Sequence, residues 1–296
     1  MIRNTILITG ADGFLGGKIT KRILETTTYC VLGLTLSEKL VETVLRREGL
    51  EISDRLKYIE NDVFLSSNKD EWGIAGAIHL AFSRRMQPAA DIASSIVFAA
   101  SIFHKLAEYD VDRVIYMSSQ GVYGNTEEMR TEKTVPAPAT QYTMAKYAAE
   151  VLFLDIMRNC PHHTALRLDP VAQSQNVLRG LCKSAKEGKI QLKGGKQVFS
   201  FIDAADVPNA VLSMMNTEGE WEPVYNVGWN RKRYTLVELA EIIADEAVNC
   251  GCDRPEIVLE ESELALWAGM NSERFMKRTG WKPEIEIRET IREMLK

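Results

Sequence analysis

Cysteine is scarce and scattered: Cys30, Cys160, Cys182, Cys250 and Cys252 make an odd set of five in 296 residues. That excludes a disulfide framework as the organising principle. Cys250-Gly251-Cys252 has no second Cys/His pair at ligand spacing, so no metal centre is expected. Long apolar runs are lacking too. No apolar stretch is expected to reach the roughly 18 residues that a membrane span needs. The run Thr5-Ile6-Leu7-Ile8-Thr9, after Met1-Ile2-Arg3-Asn4, is too short for a secretory core. Nor is there a block of one charge. The 36 basic and 41 acidic residues are spread along the chain and leave a net charge of −5. A nucleic-acid or anionic-membrane partner is therefore not expected, and the cytoplasm is the expected location.

What is present is an ordinary globular composition, 45% hydrophobic and 26% charged, in a strand-then-helix rhythm. Short β-rich runs at 5–9, 29–35, 56–60, 76–81 and 113–117 alternate with helical patterns at 15–26, 37–48 and 89–109. This spacing predicts βαβ units with right-handed crossovers, an α/β fold of the Rossmann-type, doubly wound, parallel kind. Its ligands are expected beyond the carboxyl ends of the strands. After Arg167 the rhythm loosens, with helices expected at 205–215, 236–248 and 285–295. The expected division is a dinucleotide-binding domain over 1–168 and a smaller mixed α/β substrate lobe over 169–296. A strand near 224–227, within the segment 200–230, is expected to return to the first sheet.

Directly after the first strand stands Gly10-Ala11-Asp12-Gly13-Phe14-Leu15-Gly16, the spacing G-x-x-G-x-x-G. One glycine makes the turn, the next lets the backbone approach a pyrophosphate, and the third packs helix on strand. The following helix N-terminus presents N–H groups to the phosphates. A plain glycine-rich turn has the same letters; its place between strand and helix argues for dinucleotide binding.

Tyr142-Thr143-Met144-Ala145-Lys146 opens a helical stretch to about Met157. Positions i and i+4 share a helix face, so the Lys146 ammonium is expected to lower the Tyr142 phenol. Alone, the pair also reads as an exposed tyrosine beside a solvated lysine. Ser118-Ser119-Gln120-Gly121-Val122-Tyr123-Gly124, after the strand ending near Met117, changes that balance. A hydroxyl at a strand's carboxyl end faces the crevice and reaches a substrate oxygen.

Loop, serine and Tyr/Lys pair together resemble the extended short-chain dehydrogenases/reductases, the NAD-dependent epimerase/dehydratase type, over nearly the whole chain. Gly10, Gly13 and Gly16 match the glycine loop, Asn61-Asp62-Val63 the adenine-side position, and His79-Leu80-Ala81 the fourth-strand signature. Phe201-Ile202-Asp203-Ala204-Ala205-Asp206-Val207, Tyr225-Asn226-Val227-Gly228 and Gly280-Trp281-Lys282-Pro283 look like further landmarks. The resemblance implies Tyr142 as acid/base, Lys146 on the nicotinamide ribose, and Ser119 orienting the substrate oxygen. Gln120 joins Ser119 and Tyr142 on the substrate. Asp12, Phe14, Leu15, Thr35, Asp62, Val63, Leu80 and Ala81 join the glycines, Tyr142 and Lys146 on the cofactor. The implied activity is oxidation, reduction or epimerisation of a hydroxyl or keto group of a sugar or nucleotide-sugar. Ketoreduction of a non-nucleotide carbonyl compound with NADPH, or cofactor sensing without catalysis, are the alternatives.

Several departures bear on specificity. The second strand's end, Val31-Leu32-Gly33-Leu34-Thr35-Leu36-Ser37, carries no acidic residue and Lys39 follows, so NADP is expected to serve at least as well as NAD. Gln120-Gly121 stand where the dehydratases have an acidic pair, which disfavours dehydration. Val198-Phe199-Ser200 replace a diphosphate-gripping arginine, and Arg167-Leu168-Asp169-Pro170-Val171 lacks the usual asparagine. Arg231 or Arg233 would have to compensate, and Arg84-Arg85 would reach a substrate anion, although each also reads as a solvated basic turn. Asp203 and Asp206 read as loop and helix-capping residues, Glu260-Glu261-Ser262-Glu263 as a charged helix start, and His162-His163 as a turn. Apolar residues on 89–109 and after Tyr142 exceed what packing on one sheet requires, so a homodimer is expected.

Overall fold

The computed structural model describes residues 3–69, 71–83, 86–230 and 232–296. The first half runs β1 (Thr5–Thr9), α1 (Phe14–Thr26), β2 (Cys30–Thr35), α2 (Glu38–Glu48), β3 (Leu56–Glu60), α3 (Asn61–Ser66), β4 (Ile74–His79), α4 (Ala89–Glu108), β5 (Arg113–Ser119), α5 (Gln141–Ile156) and β6 (His162–Leu168). The second half adds α6 (Asn176–Lys186), β7 (Lys189–Lys193), β8 (Val198–Phe199), α7 (Asp206–Met215), β9 (Val224–Val227), β10 (Tyr234–Thr235), α8 (Leu236–Asn249), β11 (Glu256–Glu260), α9 (Glu273–Thr279) and α10 (Ile287–Leu295). Seven strands form one parallel sheet in the order β3-β2-β1-β4-β5-β6-β9. The winding reverses between β1 and β4, which opens a crevice beyond their carboxyl ends.

Helices cover both faces of this sheet, and that explains its unbroken apolar strands. Along β1 the side chains alternate. Ile6 and Ile8 enter a core with Ile19, Ile115, Val207, Val211 and Phe275. Leu7 enters the opposite core with Phe103, Tyr116 and Phe153 from the α4 and α5 side. A third core gathers Leu178, Ile190, Leu239, Ile243 and Ile291 from the second half. The strand β9 joins this sheet, pairing with β6 from Ala165↔Val224 to Leu168↔Val227.

Several local expectations are corrected. β4 is Ile74–His79, so Leu80 and Ala81 lie just beyond the strand and face the crevice end. His162 and His163 open β6 rather than a turn, because strand pairing with Arg113 and Val114 captures them. Glu260 ends β11 opposite Lys193, and no helix starts at Glu261. Asp206 does not cap α7; its carboxylate accepts from the N–H groups of Glu284 and Ile285. Asp203 is a buried junction, accepting from Ala205 N–H, Gln173 Nε2 and Thr290 Oγ1. Among the described residues one helix, α4, is long and apolar enough to cross a membrane by length and composition, with a mean hydropathy of 1.3 over an 18-residue window. Interspersed serines hid that run. In the fold Ile92, Ala99, Ile102, Phe103 and Leu106 of α4 are buried.

Candidate active site

The glycine loop leaves β1 at Thr9 and turns at Gly10, whose φ is +68°. A side chain at Gly10 would meet the Ala81 backbone at 3.0 Å, and a Cβ on Gly16 would lie 2.0 Å from the Gly10 carbonyl oxygen. The loop is thus closed against the end of β4 and against its own helix, as a backbone cradle for a phosphate group must be. No side chain caps α1, and its first turn carries no acidic residue. The N–H groups ahead of Gly17, whose own bond runs to Gly13 O at 3.1 Å, point out of the helix. That donor set suits a pyrophosphate. The Thr9 hydroxyl accepts from the N–H groups of Leu80 and Ala81, both at 3.2 Å, and fixes the β4 end beside the loop.

Across β1 the end of β2 differs from the expectation of an uncharged site. Thr35 Oγ1 donates to Asp12 Oδ2 at 2.6 Å, so a carboxylate from the glycine loop lies on the strand end. Asp62 and Val63 sit in the first turn of α3, on the same edge of the crevice, both solvent-accessible.

The other half of the site is built by α5. Thr140 caps it reciprocally with Thr143, Thr140 Oγ1 accepting from Thr143 N–H at 3.2 Å and Thr143 Oγ1 from Thr140 N–H at 3.0 Å. That capping box starts the helix at Gln141 and puts Tyr142 in its first turn. Lys146, one turn on, is buried, and its Nζ donates to Met117 O of β5 at 2.8 Å. Tyr116 Oη donates to Lys146 O at 3.1 Å and clamps the same helix to the same strand. Ser119 ends β5 two residues later; its Oγ accepts from Gly121 N–H at 3.1 Å. Gly121 passes so close to α5 that a Cβ there would meet Thr143 Cγ2 at 2.7 Å. The serine turn and the Tyr142 turn are therefore packed together.

Electrostatics depart from the expected pair. Burial pushes the Tyr142 phenol up to about 12. Burial also brings the Lys146 ammonium down to about 7, against the favourable charge of Glu150. The expected lowering of Tyr142 by Lys146 is absent because desolvation dominates and the ammonium is turned to Met117. Phe82, which the sequence reading passed over, seals the pair. Its ring meets that of Tyr142 edge-on at 5.9 Å and lies 4.3 Å beneath Lys146 Nζ. Its apolar letter after His79-Leu80-Ala81 was the available signal.

Beneath the pair Glu150 accepts from Ser118 Oγ at 2.5 Å and forms a buried salt bridge with Arg167. Arg167 lies over the Tyr123 ring at 4.6 Å, and Tyr123 Oη donates to Asn226 Oδ1 at 2.7 Å. This chain of polar contacts ties α5, β5, β6 and β9 into one floor. Asp169, just past β6, is a second residue that sequence reasoning missed. Burial raises its carboxyl to about 7, although Ser200 Oγ donates to it at 2.7 Å and Trp229 N–H at 3.2 Å. Gln120 is buried too, with its Oε1 accepting from Gly269 N–H at 3.1 Å, so its carbonyl braces a loop. Arg233 is likewise engaged, donating to Glu127 O at 2.9 Å, which replaces the picture of a solvated turn. Arg84, Arg85 and Arg231 lie outside the described residues. All five cysteines are free, and among the described residues no group of three metal-ligating side chains gathers.

The sequence and the fold have known counterparts. The model of the NAD dependent epimerase/dehydratase family matches residues 6–228. Over 97% of this chain and 90% of the relative, the sequence is 24% identical to dTDP-glucose 4,6-dehydratase 1 of Escherichia coli. The crystal structure of UDP-glucose 4-epimerase from Thermotoga maritima, with UDP-glucose, superposes with a TM-score of 0.80 at 20% identity, covering 98% of this chain and 97% of that one. That of UDP-glucuronic acid 4-epimerase from Bacillus cereus, with NAD, gives 0.79 at 19% identity over 97% and 96% of the two chains.

Proposed function

The chain belongs to the NAD dependent epimerase/dehydratase family, and from that premise we propose that it oxidises, reduces or epimerises a hydroxyl or keto group of a nucleotide-sugar. The observation that carries this reading is the joint placement of Tyr142, Lys146 and Ser119. Lys146 and Ser119 are fixed to the end of β5, on the sheet whose β1 end carries the glycine loop, and Tyr142 stands one helical turn before Lys146 on α5.

The residues present fit a dinucleotide. Gly10, Gly13, Phe14, Leu15 and Gly16 would hold its pyrophosphate, Asp12, anchored by Thr35, its adenosine ribose, and Asp62 and Val63 its adenine. Leu80 and Ala81 would flank it, and Tyr142 and Lys146 would meet the nicotinamide ribose. When bound, the nicotinamide supplies or accepts the hydride. The protein moves the proton. With its phenol near 12, Tyr142 is protonated at neutral pH and donates from Oη to a carbonyl oxygen that is being reduced. In the oxidative direction the phenol must come down, and Lys146, the cation one turn away, would lower it only by turning its ammonium from Met117 O towards the phenol. One Lys146 proton is on Met117 O, which leaves two donors for ribose hydroxyls. Ser119 accepts from Gly121 and keeps its own proton for the substrate oxygen. Gln120, bound to Gly269, offers no carboxylate for dehydration.

A second reading, ketoreduction of a carbonyl compound without a nucleotide, draws on the missing diphosphate arginine. Val198 and Phe199 form β8, and Ser200 is spent on Asp169. The nucleotide retained on purification separates the two. A tightly held dinucleotide that survives gel filtration supports epimerisation, because that reaction must reduce what it oxidises. A site that exchanges its nucleotide freely supports the reductase and excludes the epimerase.

We further propose a homodimer formed through α4 and α5. Val97 is 69% exposed, Val151 50% and Leu152 37%, an apolar stripe that water would otherwise cover. A cytoplasmic location is part of the same reading, since five free cysteines suit a reducing compartment.

A further inference from the structure

Parallel pairing of β1 and β2 sets Thr9 beside Leu34, so the first glycine turn and the end of β2 are neighbours. This is the crevice edge where an acidic residue on the second strand ordinarily meets the adenosine ribose. The strand offers Thr35 instead, and Thr35 is not a free donor. Its Oγ1 donates to Asp12 Oδ2 at 2.6 Å, with Ser37 O at 3.1 Å as a weaker acceptor, and it accepts from Ser37 N–H at 3.2 Å. One hydroxyl proton serves two acceptors inside the protein, which leaves none for a phosphate.

Two nearby cations are committed as well, while Lys39 is exposed in the first turn of α2. Arg47 donates to Gly13 O at 2.7 Å and to Glu48 Oε1 at 2.6 Å, and Lys18 lies 3.8 Å from Glu48 Oε2. The negative charge of Asp12 reaches at least as far as Tyr58, whose phenol is raised to about 12 by burial first and by Asp12 second. Asp12 Oδ2 is occupied by Thr35, and Oδ1 remains to accept from a ligand hydroxyl.

We propose that Asp12, held in place by Thr35, selects a dinucleotide with a free ribose 2′-hydroxyl over its 2′-phosphorylated counterpart. The proposal rests on the dinucleotide-binding reading above, and it reverses the expectation drawn from the strand sequence alone. The carboxylate accepts the 2′-hydroxyl and repels a 2′-phosphate carrying close to two negative charges. The charge that the end of β2 lacks is supplied from the preceding loop.

Titration of NADH and NADPH into the full-length protein, read by calorimetry, tests this without any turnover. The wild type should bind NADH about tenfold or more tightly than NADPH. Asp12→Asn keeps an acceptor for Thr35 but removes the charge, and should narrow that ratio about fivefold or more, chiefly by tightening NADPH; Asp12→Ser should do the same if the amide perturbs folding. Thr35→Val should weaken NADH, because the carboxylate loses its anchor. Equal binding of the two nucleotides by the wild type overturns the role of Asp12 and leaves dinucleotide binding intact. An unchanged ratio in both Asp12 variants does so too, and points to Lys39 or the backbone. Binding of neither nucleotide overturns both readings together.

Discussion

Lys146 Nζ donates to the carbonyl of Met117 at 2.8 Å, and so the cation expected to serve Tyr142 is anchored to the sheet. The contact makes Lys146 both a brace and a donor. Replacing it should therefore have two separable effects. Lys146→Met removes the ribose donors and is expected to weaken nicotinamide dinucleotide binding as well as turnover. If calorimetry gave unchanged cofactor affinity, the assignment of Lys146 to the ribose would be wrong.

Asp169 carries a pH prediction whose sign follows from its buried carboxyl. Its folded value is raised to about 7, against about 4 in the unfolded chain. The folded protein therefore holds the proton over that window and the unfolded chain does not. The stability this gives is full below pH about 4 and is lost as pH rises through about 7. Asp169→Asn should gain on the wild type by something on the order of 2–4 kcal/mol between those limits. Denaturant melts at acid and neutral pH measure the difference, and parallel pH profiles for the two proteins would refute the buried-proton account.

Gly16→Ala tests the cradle. The added Cβ would stand 2.0 Å from the Gly10 carbonyl oxygen, so the loop must move away from its helix. A loss of about 1–3 kcal/mol is expected, together with loss of dinucleotide binding. A variant that melts and binds like the wild type would show that the loop is not the cradle described.

The apolar stripe on α4 and α5 predicts that Val151→Glu gives a folded monomer. Light scattering at micromolar concentration should find the wild type at twice the chain mass and the variant at one. A wild-type monomer would remove the proposed interface.

Strands at 5–9 and 56–60 were legible because their apolar runs are short, bounded and β-branched or aromatic, and β9 because its run between Pro223 and Gly228 stands alone. The parallel pair β7 and β11 was not legible, since strands separated by more than 60 residues pair through tertiary packing that no local pattern records. The same reason separates the parts of the site. Gly10, Ser119, Tyr142 and Lys146 announce themselves by spacing within one segment. The Asp12 to Thr35 bond joins residues 23 apart, and the reading of the strand end alone left out its charge. Gln120 was assigned to the substrate from its neighbour Ser119, yet Gly269, 149 residues away, takes its side-chain oxygen.

In the proposed chemistry the Tyr142 phenol exchanges the proton. Rapid mixing of the dinucleotide-loaded protein with a panel of UDP-, dTDP- and GDP-sugars, read by the absorbance of reduced nicotinamide, tests it most directly. Tyr142→Phe should keep its fold and its cofactor affinity and slow that signal by about a hundredfold or more on whichever sugar the wild type accepts. A Tyr142→Phe protein that forms reduced nicotinamide at the wild-type rate would contradict the account.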